Sequence, residues 1–563
     1  MLFRSALFSD ANGDGVADGA QTNVEPDDVK SLWKAGRLLW NRNVSDSATI
    51  ATYDPRTVYT GFGSTGGATP AKFSTVDADG FVTSSDAWDA MQIPAGTAAA
   101  RKAKGITLIN WLKGTDQPPD GDGTTYRSRQ VTIASCGLTD AKGCTREWKL
   151  GDIVASTPKL VSNVKLNNYG LPSPTGYSDI SYNKFLDSTT YKTRGMVFVG
   201  ANDGMLHAFK LGVLKELDGR FDKAQMNDAA GNKADAADKL GREEWAFIPT
   251  QTLPYLKYMT ETNYNHLFYV DKTPTVVDAS IGKPASCTET SYTDCPKDLT
   301  AGTNWRTVLI GGSGYGGAAR NISDTCSMLT DCVKTPLDGK GYSSYFALDV
   351  TDPAAPKFLW EFPAATAAVG SLGYATSGPA IIRIAKITKT TEDGKTTRTA
   401  NNGLNGSWYA VFASGSTGPI EQINHEFRGQ SDQNLKLFVV DLLTGDLKRT
   451  IDTGITNAFA GTITTGVIAT DRSRPQSPGW YSDDALYIGY TQKDTTKVCS
   501  GNNSTVCTAD SDCTGYGTCM ERWTKGGIVR LLTLESDNPA DWTTSVLINQ
   551  VKVSGSDVSV GPV

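Results

Sequence analysis

Ser156-Thr157-Pro158-Lys159-Leu160-Val161 decides how this chain is read, because its pattern returns. It comes back as Lys272-Thr273-Pro274-Thr275-Val276-Val277 and as Ser377-Gly378-Pro379-Ala380-Ile381-Ile382. A weaker copy is Thr464-Thr465-Gly466-Val467-Ile468, and the pattern starts again at Val560-Gly561-Pro562-Val563. A small residue, then Pro or Gly, then an apolar run thus marks a unit roughly every hundred residues. Between the marks the same pieces follow in order. An apolar run ending in a small residue comes first: Val197-Phe198-Val199-Gly200, Val308-Leu309-Ile310-Gly311, Val411-Phe412-Ala413-Ser414-Gly415 and Leu486-Tyr487-Ile488-Gly489. A second run follows, as in His207-Ala208-Phe209-Lys210, Phe346-Ala347-Leu348-Asp349, Phe438-Val439-Val440-Asp441 and Ile528-Val529-Arg530-Leu531. A last one follows in turn, such as Trp245-Ala246-Phe247-Ile248 or Phe358-Leu359-Trp360-Glu361-Phe362. Short β-branched and aromatic runs between Gly, Asp and Asn turns are strand signals.

Four strands per unit, repeated radially, is the β-propeller answer to exposed sheet edges. Two unrelated β-sandwiches would not repeat their pieces in a fixed order. The fold class read from the repeat is therefore all-β, a propeller with four visible blades after residue 150 and a fifth opening at Val560. The ring is expected to be incomplete, with closing blades beyond Val563. Three regions follow. Residues 1–45 carry a loop and a helix. Residues 46–150 link, with a second helix and part of a further blade whose strand candidate is 56–60. Residues 151–563 hold the blades. The helices are placed at about 26–40, with Val29, Leu32, Trp33, Gly36 and Leu39 on one face; at about 97–113, stopped by Gly114; and at about 254–261.

The chain has 563 residues, more than one compact core usually organises. Its 54 Lys and Arg against 60 Asp and Glu give a formal charge of -6, with no dense basic cluster, which argues against a nucleic-acid surface. No apolar run approaches the roughly 20 residues of a membrane span. Ten cysteines form near-neighbour sets in polar loops: Cys136/Cys144, Cys287/Cys295, Cys326/Cys332, and the group Cys499, Cys507, Cys513, Cys519. An even count in such loops suits short disulfides formed in an oxidising compartment, with pairing inside the last four open. Zinc is the weaker reading: there is no Cys-x2-Cys, and His207, His266 and His425 lie far from the cysteines in sequence. Export needs a signal, which the first eight residues are too short to provide, so the chain is expected to begin inside a longer one.

The sharpest motif is Asp10-Ala11-Asn12-Gly13-Asp14-Gly15-Val16-Ala17-Asp18. Side-chain oxygens of Asp10, Asn12, Asp14 and Asp18 and the Val16 carbonyl can wrap one calcium ion, with Gly15 allowing the tight turn. The last ligand stays open between Asp18 itself, Glu25, Asp27, Asp28 and water, because Gln21 stands where a bidentate glutamate would be. Asp77-Ala78-Asp79-Gly80 is shorter and reads as a turn. Searches for a nucleophile elbow, a zinc-protease helix or a phosphate loop find nothing. Gly311-Gly312-Ser313-Gly314-Tyr315-Gly316-Gly317 follows a strand but opens no helix, and reads as a blade turn. His207 reads as a packed core histidine, and Glu243 and Glu244 as solvated loop carboxylates. The expected chain is not an enzyme.

Several strings resemble a known family. They are Leu108-Ile109-Asn110-Trp111-Leu112-Lys113-Gly114-Thr115-Asp116 with Tyr126-Arg127-Ser128-Arg129, and Trp148-Lys149-Leu150-Gly151-Asp152-Ile153-Val154-Ala155-Ser156-Thr157-Pro158. Val197-Phe198-Val199-Gly200-Ala201-Asn202-Asp203-Gly204-Met205-Leu206-His207-Ala208-Phe209 and Leu372-Gly373-Tyr374-Ala375-Thr376-Ser377-Gly378-Pro379 belong with them. Together they look like the C-terminal propeller of the PilY-type tip-associated adhesin and assembly factor of bacterial type IV pili. The resemblance implies a quinoprotein-dehydrogenase-like propeller, about seven-bladed in the family, without quinone chemistry. It implies export through the periplasm to the cell surface or pilus tip. It implies minor pilins and a surface or host receptor as partners, and calcium as a regulator of assembly, retraction and attachment. The family's von Willebrand A-like region has no counterpart here. Its propeller calcium loop would fall near 473–484, where the spaced aspartates are missing, and no Arg-Gly-Asp occurs. A quinone-dependent dehydrogenase and a structural cell-surface protein are the rival readings.

Overall fold

The computed structural model describes residues 5–7, 22–24, 33–44, 54–121, 123–133, 136, 143–211, 213–215, 225–227, 240–264, 266–316, 343–362, 372–417, 429–463, 466–469, 481–553 and 555–558. The protein is mostly β, with several sheets and few helices. Four larger sheets among the described residues follow one another along the chain, each an antiparallel meander whose strand order is close to sequence order. The first runs Lys159–Val161, Met196–Gly200, Leu206–Lys210, Glu243–Ile248. The second runs Thr275–Ser280, Trp305–Gly312, Tyr345–Asp349, Lys357–Phe362. The third is Ala380–Ile384, Ser407–Ala413, Lys436–Asp441, Leu447–Asp452. In the fourth, Ala458–Ala460 and Val467–Ile468 both pair with Ala485–Gln492, followed by Lys525–Leu532 and Thr543–Ile548. Most of these are the runs that the repeat singles out; Leu447–Asp452, Ala458–Ala460 and Thr543–Ile548 are not among them.

The inner strands of the second and third sheets are apolar on both sides because neighbouring elements cover both faces, whereas in the fourth sheet Lys525–Leu532 alternates in burial. Successive side chains of a strand point to opposite faces, and the buried clusters follow that alternation. In the third sheet Trp408, Ala410 and Phe412 pack toward the second sheet, against Ile310, Tyr345 and Phe362. Their neighbours Tyr409, Val411 and Ala413 pack toward the fourth, with Ile488, Val529 and Leu531. In the second sheet Tyr345 and Ala347 face the third, while Phe346 and Leu348 face Phe198, Trp245 and Phe247 of the first. Continuous apolar runs are what strands buried on both faces should show. The outermost Leu447–Asp452 strand of the third sheet instead alternates in burial.

Gly311 and Gly312 are strand residues rather than part of a turn, which corrects the reading of the glycine-rich string. A Cβ on Gly311 would collide with the Phe346 ring. The turn itself begins at Gly314, where φ is +61°.

The strand expected at 56–60 is Val58–Thr60, and it founds no separate sheet. It lies parallel to Glu243–Ile248 as an added strand of the first sheet, with Ala71–Lys72 outside it. The helix expected at 97–113 is Ala98–Lys113, capped by the Thr97 hydroxyl on Ala100 N at 3.2 Å and closed by Gly114 at φ +115°. Its buried Leu108, Ile109, Trp111 and Leu112 pack with Trp88 and with Leu253 and Leu256 of the 3-10 segment Thr250–Thr260, the form taken by the helix expected at 254–261. Of the expected helix at 26–40, Ala35–Asn41 is present and 26–32 lies outside the described residues. Three short helices, Ser85–Ala90, Ile180–Asp187 and Thr189–Thr193, have no counterpart in the sequence reading.

Disulfides join Cys136 to Cys144 and Cys287 to Cys295. The last four cysteines pair in crossed fashion, Cys499 with Cys513 and Cys507 with Cys519. Cys326 and Cys332 lie outside the described residues. No described helix is long and apolar enough to cross a membrane.

The wedge between the first two sheets gives a direct expectation. Phe346 is fully buried, 5.1 Å from Phe247 between ring centroids. Phe346→Ala should cost about 3–5 kcal/mol in denaturant unfolding; a loss below 1 kcal/mol would mean the two sheets do not depend on that contact.

Candidate functional site

Two of the family-like strings meet in space. Gly151 N donates to Asp203 Oδ2 at 2.9 Å, and Asn202 N donates to the Asp152 carbonyl at 2.9 Å. The Asn202 amide also reaches Asp152 Oδ2 at 2.9 Å, and His266 Nε2 lies 2.9 Å from that same oxygen. That hydrogen bond holds the Asp152 carboxyl below its ordinary range. From Asp203 the contacts turn inward. His207 Nε2 sits 3.0 Å from Asp203 Oδ2, and His207 Nδ1 sits 2.7 Å from Glu243 Oε1. Glu243 in turn accepts from Arg56 at 2.7 and 2.8 Å. Arg56, His207 and Glu243 are all essentially without exposure.

Glu243 is therefore not a solvated loop carboxylate. It and Glu244 are on a strand, and Glu243 is the buried counter-ion of an arginine and a histidine. Burial alone would raise its carboxyl, but Arg56 and His207 hold it far below the usual range. Burial alone would likewise lower the His207 imidazole, yet Asp203 and Glu243 raise it to about 9. His207 is the packed, hydrogen-bonded core histidine the sequence indicates. The inner part of the network, Arg56, His207 and Glu243, is met entirely within the protein and fixes the first sheet against the loop ahead of it, while Asp152 and His266 at its outer end are exposed.

A second polar assembly lies where the 166–177 loop meets the third sheet. Arg383, on Ala380–Ile384, is 3% exposed and donates through Nη1 to the Tyr481 carbonyl. Its guanidinium carbon is 3.1 Å from the centre of the Tyr481 ring, and Tyr177 stacks on that ring at 4.0 Å. Asp483 Oδ2 accepts the Arg383 backbone N–H at 2.7 Å. A cavity of about 310 Å³ opens among Tyr169, Tyr177, Arg383, Tyr481 and Asp483. The sequence reading missed all five. The available signal is the pair of tyrosines, Tyr169 and Tyr177, standing in a Gly/Pro/Ser-rich loop.

The proposed calcium ligands Asp10, Asn12, Asp14, Val16 and Asp18 lie outside the described residues, as do Glu25, Asp27 and Asp28. The strands on either side of that stretch are described: Ser5–Leu7 pairs antiparallel with Thr22–Val24. Asp77–Asp79 is a 3-10 turn ending at Gly80, with Asp77 and Asp79 paired to Lys102 and Lys72. The sulfurs of Cys499, Cys507 and Cys513 lie close together but are consumed by disulfides. His425 is outside the described residues.

No family model matches the chain. Curated proteins do. The Type IV pilus biogenesis factor PilY1 homolog of Xylella fastidiosa is 26% identical over 352 residues, 61% of this chain and 16% of that protein. Type IV pilus biogenesis factor PilY1 of Pseudomonas aeruginosa is 26% identical over 379 residues in one strain, covering 66% of this chain and 23% of that protein. In another strain it is 28% identical over 324 residues, covering 56% and 18%. The chain is a distant relative of the PilY1-type pilus biogenesis factors. Its matched part spans less than a quarter of their length. The crystal structure of the Pseudomonas aeruginosa PilY1 C-terminal domain superposes with a TM-score of 0.32 at 19% identity, covering 72% of this chain and 66% of that one.

The buried network has a pH signature. A folded pKa of about 9 for His207, above the roughly 6.5 of an unfolded histidine, contributes stability that is fully present below about pH 6.5 and is lost as pH rises through about 9. Melting curves of the wild type and of His207→Asn across that window should converge as pH rises. Parallel pH profiles would show that the imidazole is not held charged.

Proposed function

We propose that this chain acts as the C-terminal, propeller-type part of a type IV pilus biogenesis factor, without catalysis of its own. The observation that carries the reading is the similarity to PilY1-type proteins over 56–66% of the chain. The fold supports it: four meanders, each sharing an apolar face with the next, are the local geometry of blades around an axis. In this reading residues 151–563 are the blades and 1–150 their lead-in. The chain is exported through the periplasm and works at the cell surface or pilus tip. There it contacts minor pilins and, through its loops, a surface or host receptor. The described disulfides, each closing a short loop, fit a secreted protein.

Calcium binding at Asp10, Asn12, Asp14, Val16 and Asp18 belongs to the same proposal. Its support is the spacing of the oxygens, together with the strand pair that brings the two ends of the stretch side by side.

Removing the codons for 151–563 from the chromosomal gene should abolish surface pili, counted by electron microscopy, and twitching. Unchanged piliation and twitching would overturn the assignment. Calcium titration should raise the melting temperature of the wild-type chain, and Asp14→Ala should abolish the rise. A wild-type chain indifferent to calcium would remove the metal from the proposal.

A further inference from the structure

We propose that residues 493–524 form a redox-sensitive knob: folded while its two cystines hold, unfolded by a dithiol reductant, with the four large sheets standing in either state. The segment is an insertion between two adjacent strands of the fourth sheet, Ala485–Gln492 and Lys525–Leu532. Those strands pair along their whole length, from Ala485 with Leu532 to Gln492 with Lys525. The insertion builds a separate three-stranded sheet in the order Asn502–Cys507, Lys497–Cys499, Cys519–Met520.

This small sheet has almost no core. From 493 to 524 the buried residues are Val498, Cys499, Cys507 and Cys513. The three cysteines form one apolar cluster with Cys519 at its margin, and no other side chain belongs to it. The large apolar residues farther out face water instead: Val506 is 61% exposed, Tyr516 47% and Met520 41%. So short a segment cannot remove enough apolar surface from water to offset the entropy of ordering it, and covalent bridges take over that role. The bridges are crossed, Cys499 to Cys513 and Cys507 to Cys519, so each loop contains one end of the other.

The hydrogen bonds of the knob cannot replace the bridges. Asp512 Oδ2 accepts from Thr508 N and Ala509 N, and Asp510 Oδ1 accepts from Cys519 N. Ser500 N and Gly501 N reach the Thr518 and Tyr516 carbonyls. These groups stand at the surface, where water competes as a partner. At the neck Asp494 N donates to the Arg522 carbonyl at 2.9 Å, and Thr524 N donates to Asp494 Oδ2 at 2.8 Å. Beyond the neck the fourth sheet buries Leu486, Ile488, Val529 and Leu531 against the third, in a cluster that contains no cysteine. Loss of the cystines therefore stops at the neck.

The opening step is thiol–disulfide exchange. A thiolate of the dithiol attacks one sulfur of a cystine, and the other sulfur leaves as a thiol. The second thiol of the reductant then resolves the mixed disulfide. Each cystine gains two electrons and two protons, and the dithiol becomes a disulfide. Cys519 is partly exposed whereas Cys499 and Cys513 are sealed, so attack starts at Cys507–Cys519.

The test is hydrogen exchange of the full chain read by mass spectrometry. In dithiothreitol the amides of 497–520 should exchange about a hundredfold faster, the effect expected from opening loops of this length. A second arm combines Cys499→Ser, Cys507→Ser, Cys513→Ser and Cys519→Ser, which leaves Cys136–Cys144 and Cys287–Cys295 in place. That variant should show the same fast exchange without reductant, while Ala485–Gln492 and Lys525–Leu532 keep their protection. Unchanged exchange over 497–520 in the variant, or in wild-type chain whose cystines have been opened, would overturn the proposal. So would a variant that does not fold, or one in which the loss of protection spreads into the two flanking strands. Loss of the pilus role would leave this result untouched, because the readout is the exchange of the isolated chain.

Discussion

The fold rests on a second and a third sheet that are apolar on both faces. A strand such as Ser407–Ala413, buried at every position, cannot stand at a surface. Its odd and even side chains demand two different neighbours, and they find them in the second and fourth sheets. The constraint propagates. Once Trp408 and Phe412 are committed to one side, Tyr345 and Phe362 must meet them, with ring centres 4.1 and 5.7 Å from Phe412. The opposite face of the second sheet then needs the first. The stabilisation scales with apolar area removed from water, and it is shared between sheets, so no single sheet is a stable unit without its neighbours.

That sharing explains how much of the fold can be read in the amino-acid order. Period-two packing on both faces produces uninterrupted apolar runs, and these stand out between Gly, Asp and Asn turns. The positions of the inner strands are legible for that reason, and so is Ala98–Lys113, whose Thr97 and Gly114 mark its ends, whereas the outer strands Leu447–Asp452 and Thr543–Ile548, alternating or exposed, are not. The failures have a common cause in distance along the chain. Val58–Thr60 joins the first sheet in parallel, beside a strand nearly two hundred residues later, and no local pattern reports such a partner. Glu243 looks like half of a solvated acidic doublet until Arg56, 187 residues upstream, is placed against it. Arg383 and Tyr481 are likewise 98 residues apart, and each alone reads as ordinary.

The two polar assemblies contrast in how their charges are met. Around Glu243 the acceptors and donors match, and the cluster is sealed: Arg56 and His207 answer one carboxylate, and Asp203 answers the far side of the imidazole. Removing one partner of such a buried group is typically far more costly than the pair is worth in net stabilisation. Two of the strings that carry the family resemblance, 148–158 and 197–209, meet at this network, which makes them marks of the framework. Around Arg383 the ledger stays open, with aromatic rings in place of counter-ions and two donors unanswered.

The parallel strand at Val58–Thr60 has a mechanical consequence. Its register sets Val58 beside Ala246 and Thr60 beside Ile248, so the two segments run the same way. Tension applied upstream of Val58 and resisted downstream of Ile248 pulls the pair in opposite directions along their common axis. The bridging bonds, including Ala246 N to the Thr57 carbonyl and Gly61 N to the Ile248 carbonyl, are then loaded together in shear instead of being peeled one after another. A short strand placed this way is a clamp against traction along the chain, which a strand peeled from one end could not be.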